Sequence, residues 1–96
     1  MPVIATIDVK TQPGKRTEFM QALRASLAAT LNEPECSRLD YLVDDSDPNR
    51  VVVVEEWTSP GAHQAYSMKL VQAGGMNELM PFMDGMPATT YYERMG

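Results

Sequence analysis

The sequence has little cysteine, histidine or positive charge. Its 96 residues include one cysteine and one histidine, so one chain can form neither an internal disulfide nor a zinc site built from His and Cys. Eight basic residues stand against 13 acidic ones, which gives a net charge of −5. Because phosphate binding requires concentrated positive charge, and Lys and Arg form no cluster here, these features argue against nucleic acid as a partner.

Long hydrophobic runs are also absent. No stretch approaches the roughly 20 apolar residues that span a bilayer, and the first residues lead into a strand-like pattern without the basic region of a signal peptide. We therefore expect a cytoplasmic protein with no membrane partner. The length predicts a single domain over residues 1–96. A domain this short has a thin core, which favours burial against a partner chain.

The first third of the chain predicts a strand and a helix. Apolar residues alternate over residues 3–10, as in a strand with one face better buried. Apolar residues then recur at four-residue spacing from Phe19 to Leu31, which predicts an amphipathic helix of about four turns. Pro13 suits the first turn of this helix, and Pro34 ends it.

The middle of the chain predicts a hairpin and a second helix. Residues 36–43 and 51–57 are rich in strand-forming side chains. Turn formers at residues 44–49 connect them, which predicts antiparallel pairing. Ser59 followed by Pro60 indicates a helix start, with a capping side chain and a proline in the first turn.

The remaining elements complete a known topology. Glycine and proline interrupt residues 74–87, which predicts a short helical turn in a lid-like segment, and residues 88–94 predict a last strand. The order βαββαβ is that of the ferredoxin-like α+β fold, a four-stranded antiparallel sheet with both helices on one face. We expect Val, Trp and Tyr side chains on the open face, so the sequence predicts a homodimer that buries this face.

Short motifs resemble the antibiotic biosynthesis monooxygenase family over nearly the whole chain. They are Glu33-Pro34-Glu35-Cys36, the turn from Asp44 to Arg50, and Glu55-Glu56-Trp57 followed by Ala62. The resemblance implies a dimeric α+β barrel. Several members oxidise quinols or polyketide phenols with O2 and use no metal and no flavin, so it also implies an enzyme without a cofactor.

The sequence departs from the family pattern at several positions. Glu35 stands where Gly is common, Leu39 where Tyr is common, and Val53 where phenol-oxidising members have Asn. A histidine that often follows the tryptophan by nine residues is replaced by Tyr66, while His63 lies one turn earlier.

Three residues are candidates for catalysis: Trp57, His63 and Tyr66. Oxygenation without a cofactor needs a base, an apolar cavity for O2 and donors to a developing oxyanion. Trp57 shares a strand face with Val53 and can direct its indole N–H at a ligand. His63 and Tyr66 share a helix face, and histidine can act as a base near neutral pH. The alternative for Trp57 is core packing, and for His63 and Tyr66 it is a helix side chain that is exposed or has its hydrogen bonds satisfied.

Further residues are candidates for substrate binding: Val53, Arg38, Asp40, Tyr91, Tyr92 and Met80. We expect Arg38 and Asp40 to share a strand face with Cys36, with solvated or interface roles as the alternative. One of the two tyrosines must point into the barrel, since neighbours in a strand alternate. Met80 falls on one helical face with two other methionines, which can form an adaptable apolar wall or simply fill the core.

Together these features predict a cofactor-free monooxygenase. It would oxidise a quinol or phenolic small molecule with O2 in an apolar pocket enclosed by the barrel of a homodimer. The alternatives are a non-catalytic ligand-binding or stress-response module and a proton-transfer isomerase on the same scaffold. Haem-degrading relatives are expected to carry Asn in the first strand, and residues 3–10 contain none.

Overall fold

Four antiparallel strands form one sheet in this computed structural model, which describes residues 2–96. The strands are β1 (Val3–Lys10), β2 (Cys36–Asp44), β3 (Asp47–Trp57) and β4 (Ala88–Tyr92). Their order in the sheet is β2-β3-β1-β4, and every neighbouring pair is antiparallel. This order confirms the ferredoxin-like α+β fold that the sequence predicts.

The hairpin between β2 and β3 is tighter than predicted. The Asp44 carboxylate accepts hydrogen bonds from the backbone N–H and the hydroxyl of Ser46, both at 2.8 Å. These bonds close the turn within two residues, so β3 begins at Asp47 rather than at residue 51.

Three helices connect the strands. They are α1 (Arg16–Ser26), α2 (Pro60–Gln72) and α3 (Gly75–Leu79), with 3-10 helices at Thr30–Asn32 and Met80–Phe82. The start of α2 is as predicted, since the Ser59 hydroxyl accepts the Ala62 N–H at 3.1 Å. Within residues 2–96, no helix is long and apolar enough to cross a membrane.

The first helix is shorter than predicted. It has 11 residues and begins after Lys15, so Pro13 lies in the preceding turn. The helix ends before Leu31, which is 55% exposed. The cause is a tertiary contact: the hydroxyls of the buried Thr30 and Tyr66 are 2.8 Å apart, which fixes the chain after α1 to α2.

The helices cover one face of the sheet. On β3 the covered face carries Val51, Val53, Glu55 and Trp57, all buried. The prediction that the tryptophan lies on the open face is therefore wrong. Trp57 pairs in register with Val3, and both side chains belong to the core beneath α2.

A β-bulge changes the face of two predicted site residues. Cys36 pairs with Trp57 and Arg38 pairs with Glu56, with an irregularity between them. Because the bulge adds a residue, Arg38 and Asp40 lie on the open face, opposite to Cys36. There they form an ion pair with each other. The expectation that they share a face with Cys36 is wrong.

The open sheet face is partly apolar and framed by ion pairs. Arg50 bridges Asp8 at 2.6 Å and Asp44 at 2.9 Å, and Arg94 contacts Glu56 at 2.7 Å. Between these pairs lie the apolar side chains of the open sheet face: Ile4, Leu42, Val52, Val54 and Tyr92.

Candidate functional site

A cavity of about 130 Å³ lies between the covered sheet face and the three helices. Its wall is almost wholly apolar, and its side chains with polar groups are Ser26, Glu55, His63, Tyr66 and Ser67. The sequence predicts a pocket inside the barrel of a homodimer. In this chain the alternation of β1 and β3 points Ile7, Val9 and Val53 toward the helices, and the resulting cavity is partly open and lined by residues of one chain.

Glu55 is the buried carboxyl group of the site. Strand alternation places it between Val53 and Trp57 on the covered face, where it is 3% exposed. One carboxyl oxygen, Oε1, accepts the Trp57 indole N–H at 2.7 Å. Burial raises the pKa of Glu55, because removal from water penalises the charged form, and the indole hydrogen bond only partly offsets this effect.

His63 lies on α2 directly above Glu55 and is 5% exposed. Its Nδ1 is 2.7 Å from the Tyr91 hydroxyl, and its Nε2 is 3.1 Å from the Ser67 hydroxyl. The same Nε2 is 4.0 Å from Glu55 Oε1. Burial lowers the pKa of His63, so the ring is neutral at neutral pH, and a neutral ring has one unprotonated nitrogen that can accept a proton.

Trp57 and Tyr66 form the aromatic support of this pair. The Trp57 ring lies 5.2 Å from the Tyr66 ring and 5.7 Å from the His63 ring. The Trp57 N–H is used by Glu55, so it does not point at a ligand as expected. The Tyr66 hydroxyl is bonded to Thr30, and burial raises the pKa of its phenol. Tyr66 therefore contributes its ring to the cavity wall.

The structure separates the other predicted site residues into two groups. Val53 lines the cavity, and Tyr91 reaches His63 from β4. Tyr92 pairs with Ile4 on the open sheet face, which decides which of the two tyrosines faces the site. Arg38 and Asp40, on that same open face, are outside the site.

Met80 is also outside the cavity wall, and it is half-exposed. The prediction assumed a continuous helical face for three methionines, but a 3-10 helix begins at Met80 and changes the periodicity. Met76 and Met83 do line the cavity. Met83 is held there because its neighbours bond to the end of β1: Gln12 N–H donates to Phe82 at 2.9 Å, and Asp84 N–H donates to Lys10 at 2.7 Å.

Sequence reasoning did not select Glu55 or Ser67 as functional residues. The signal for Glu55 was present, because alternation places this carboxylate on the apolar face of β3, where an unpaired charge is costly. Ser67 follows His63 by one helical turn, a spacing that allows contact but does not identify it. Across residues 2–96, no three His, Cys, Asp or Glu side chains come together as a metal site.

A comparison with known proteins agrees with this architecture. The family model described as antibiotic biosynthesis monooxygenase matches residues 2–68. No curated protein sequence matches the chain.

Solved structures match along nearly the whole chain. One from Nitrosomonas europaea, described as a candidate antibiotic biosynthesis monooxygenase, has a TM-score of 0.86 at 18% identity and covers 98% of this chain and 90% of its own. A protein from Caulobacter crescentus CB15 with the same description has a TM-score of 0.83 at 22% identity. The match covers 99% of this chain and 91% of the Caulobacter chain. At these identities the likeness shows a shared fold.

Proposed function

This chain belongs to the antibiotic biosynthesis monooxygenase family, and from that membership we propose that it oxidises a phenol or quinol with O2 in the cavity between sheet and helices. The observation that carries the proposal is the pairing of a buried histidine with a buried carboxyl group at the wall of an apolar cavity. In such sites the surroundings shift the pKa values of two titratable groups in different directions, which determines which group acts as the acid and which as the base.

His63 is the proposed base. Its neutral ring can accept the substrate's hydroxyl proton at Nε2, which leaves an electron-rich phenolate in the cavity. Burial shifts the pKa of Glu55 upward, and in its protonated form the carboxyl group can donate a hydrogen bond to the oxygen that becomes negative. The apolar wall disfavours water beside the ring and can admit O2.

The proposed reaction needs no reductant other than the substrate. The phenolate transfers electrons to O2, a new C–O bond forms at the ring, and the resulting hydroperoxide takes up the proton. Its O–O bond then breaks as the ring carbon loses hydrogen, and one water leaves. A phenol with an unsubstituted ring position thus becomes a quinone, and a quinol becomes a hydroxyquinone. Both oxygen atoms of O2 are accounted for.

The test is O2 consumption by purified protein with a panel of single-ring phenols and quinols, corrected for autoxidation. We expect uptake that falls about 10²–10⁴-fold in His63→Gln, the range typical of a lost general base. Met68→Gln, an exposed change on the same helix, should leave uptake unaltered. Uptake that never exceeds autoxidation, or that His63→Gln does not affect, overturns the proposal.

A second candidate function uses the same pair without O2. The contacts of His63 and Glu55 equally suit proton transfer within a bound ligand, as in an isomerase. A non-catalytic binder would instead be stabilised by its ligand, by RT ln(1 + [L]/Kd), without turnover. Product analysis under nitrogen separates the two, because only an isomerase converts its ligand there.

We further propose a homodimer through the open sheet face. In support, its five apolar side chains have no cover within residues 2–96, and a small domain gains core by burying such a face. A cytoplasmic location and a single domain over residues 1–96 remain predictions from the sequence.

A further inference from the structure

The polar groups of the cavity are gathered at one end. Glu55, His63, Tyr66 and Ser67 are joined to each other or to Trp57 by hydrogen bonds and ring contacts. We call these four residues the polar end. Ser26 is the remaining hydroxyl of the wall, and at the last residue of α1 it can bond to a carbonyl of its own helix.

The opposite end of the cavity has no polar side chain. Its wall consists of aliphatic, aromatic and thioether groups that pack in a core cluster separate from the one around Trp57: Val9, Phe19, Met76, Leu79 and Met83. We call these five residues the apolar end. A hydroxyl directed at this end gains no hydrogen bond from a side chain of the wall.

The size of the cavity suits a ligand of one ring. Its volume of about 130 Å³ is close to that of an apolar cavity of about 150 Å³ that binds benzene. A single ring that spans the cavity therefore has one edge at the polar end and the opposite edge at the apolar end.

We propose, on the basis of the function proposed above, that the site selects single rings whose hydroxyls share one edge, namely monophenols and ortho-diols, over para-diols. A para-diol that places one hydroxyl at the polar end must place the other at the apolar end. An ortho-diol directs both hydroxyls to the polar end. There Glu55 Oε1 and His63 Nε2 are 4.0 Å apart, so each can bond to one of two neighbouring hydroxyls.

The first test compares two isomers of equal composition, catechol and hydroquinone. Calorimetric titration of the wild-type protein under nitrogen prevents both turnover and autoxidation. We expect catechol to bind at least about tenfold more tightly, the effect of one unsatisfied buried hydroxyl. Equal affinities, tighter binding of hydroquinone, or no binding of either isomer at millimolar concentration overturns the inference.

The second test moves a polar group to the apolar end. Met76→Gln keeps the length of the side chain and adds a hydrogen-bond donor and an acceptor. The affinity for hydroquinone should therefore rise by about fivefold or more relative to the affinity for catechol. Met76→Leu is the matched apolar control and should keep the wild-type ratio. If folded Met76→Gln keeps the wild-type ratio of catechol affinity to hydroquinone affinity, the inference is contradicted. If Met76→Gln does not fold, the comparison of the two isomers with the wild-type protein decides the inference.

These tests are separate from the test of the reaction. Isomer selectivity without O2 uptake would support the binding inference and overturn the oxygenase. O2 uptake without isomer selectivity would support the oxygenase and overturn the binding inference.

Discussion

At the scale of single residues, two buried titratable side chains that face each other determine what the cavity can do. Glu55 Oε1 and His63 Nε2 are 4.0 Å apart, with little water around either. Burial shifts their pKa values in opposite directions, upward for the carboxyl and downward for the imidazole. Both groups are therefore disposed to be neutral together, which suits proton exchange with a ligand better than it suits a permanent ion pair.

The raised pKa of Glu55 predicts how stability depends on pH. The folded protein holds this proton more tightly than the unfolded chain, whose glutamate titrates near 4.5. The stabilisation is complete below pH 4.5 and is lost as the pH rises through the folded-state pKa. Glu55→Gln cannot titrate, so its free energy of unfolding should improve relative to wild type over that interval. Urea denaturation from pH 4 to 8 measures the difference, and a difference that is constant with pH contradicts the assignment.

The lowered pKa of His63 predicts how activity depends on pH. A base must be neutral to accept a proton, and burial keeps the pKa of His63 below its ordinary value of 6.5. We expect kcat/KM for O2 uptake to rise with pH, with a midpoint below 6.5, and to level off above it. A midpoint above 6.5 would show that another group is the base.

Sequence reasoning found part of this cluster because strand alternation and helix periodicity are local properties. Helix periodicity placed His63 and Tyr66 on one face, and in the structure both rings contact Trp57. Arg38 was misplaced because a β-bulge inverts the alternation, and nothing in the residue types of β2 specifies the bulge. Glu55 was passed over because the motif that contains it was used to identify the family rather than to locate a buried charge.

At the scale of elements, the boundaries set by local chemistry were predictable and those set by tertiary contacts were not. The cap at Ser59 lies within its own helix and was predicted. The end of α1 depends on Thr30, whose partner Tyr66 is 36 residues away. The fold itself was predictable because six patterned segments in this order leave few topologies.

The connection between α2 and α3 predicts a local change in stability. Gly74 has a φ of +86°, which a side chain disfavours. Gly74→Ala should destabilise the fold by about 1–2 kcal/mol and weaken ligand binding, because α3 supplies Met76 and Leu79 to the cavity wall. Gly61→Ala is the control: it lies in α2, where a Cβ meets only the Ser59 hydroxyl at 3.9 Å. Urea denaturation of both variants makes the comparison, and equal stabilities would contradict it.

At the scale of the whole molecule, the two faces of the sheet are suited to different tasks. The covered face holds the cavity and its titratable pair within one chain. The open sheet face carries apolar side chains between ion pairs, an arrangement that a second copy can bury. Because β-strand neighbours alternate between these faces, ligand binding and assembly can change separately.

This separation predicts the behaviour of a variant on the open sheet face. Val54 lies on the open sheet face beside Asp40, which is already paired with Arg38, so the charge that Val54→Lys adds stays solvated only in a single protomer. In a symmetric dimer it would bury two like charges, which disfavours association. Sedimentation should show dimers for the wild-type protein and monomers for Val54→Lys. The affinity of these monomers for catechol should stay within about twofold of the wild-type affinity, well below the tenfold change that corresponds to 1.4 kcal/mol. Exposed Met68→Lys on α2 is the control and should stay dimeric. A wild-type protein that sediments as a monomer contradicts the proposed dimer. Loss of catechol binding in folded Val54→Lys contradicts the proposal that the cavity is complete within one chain.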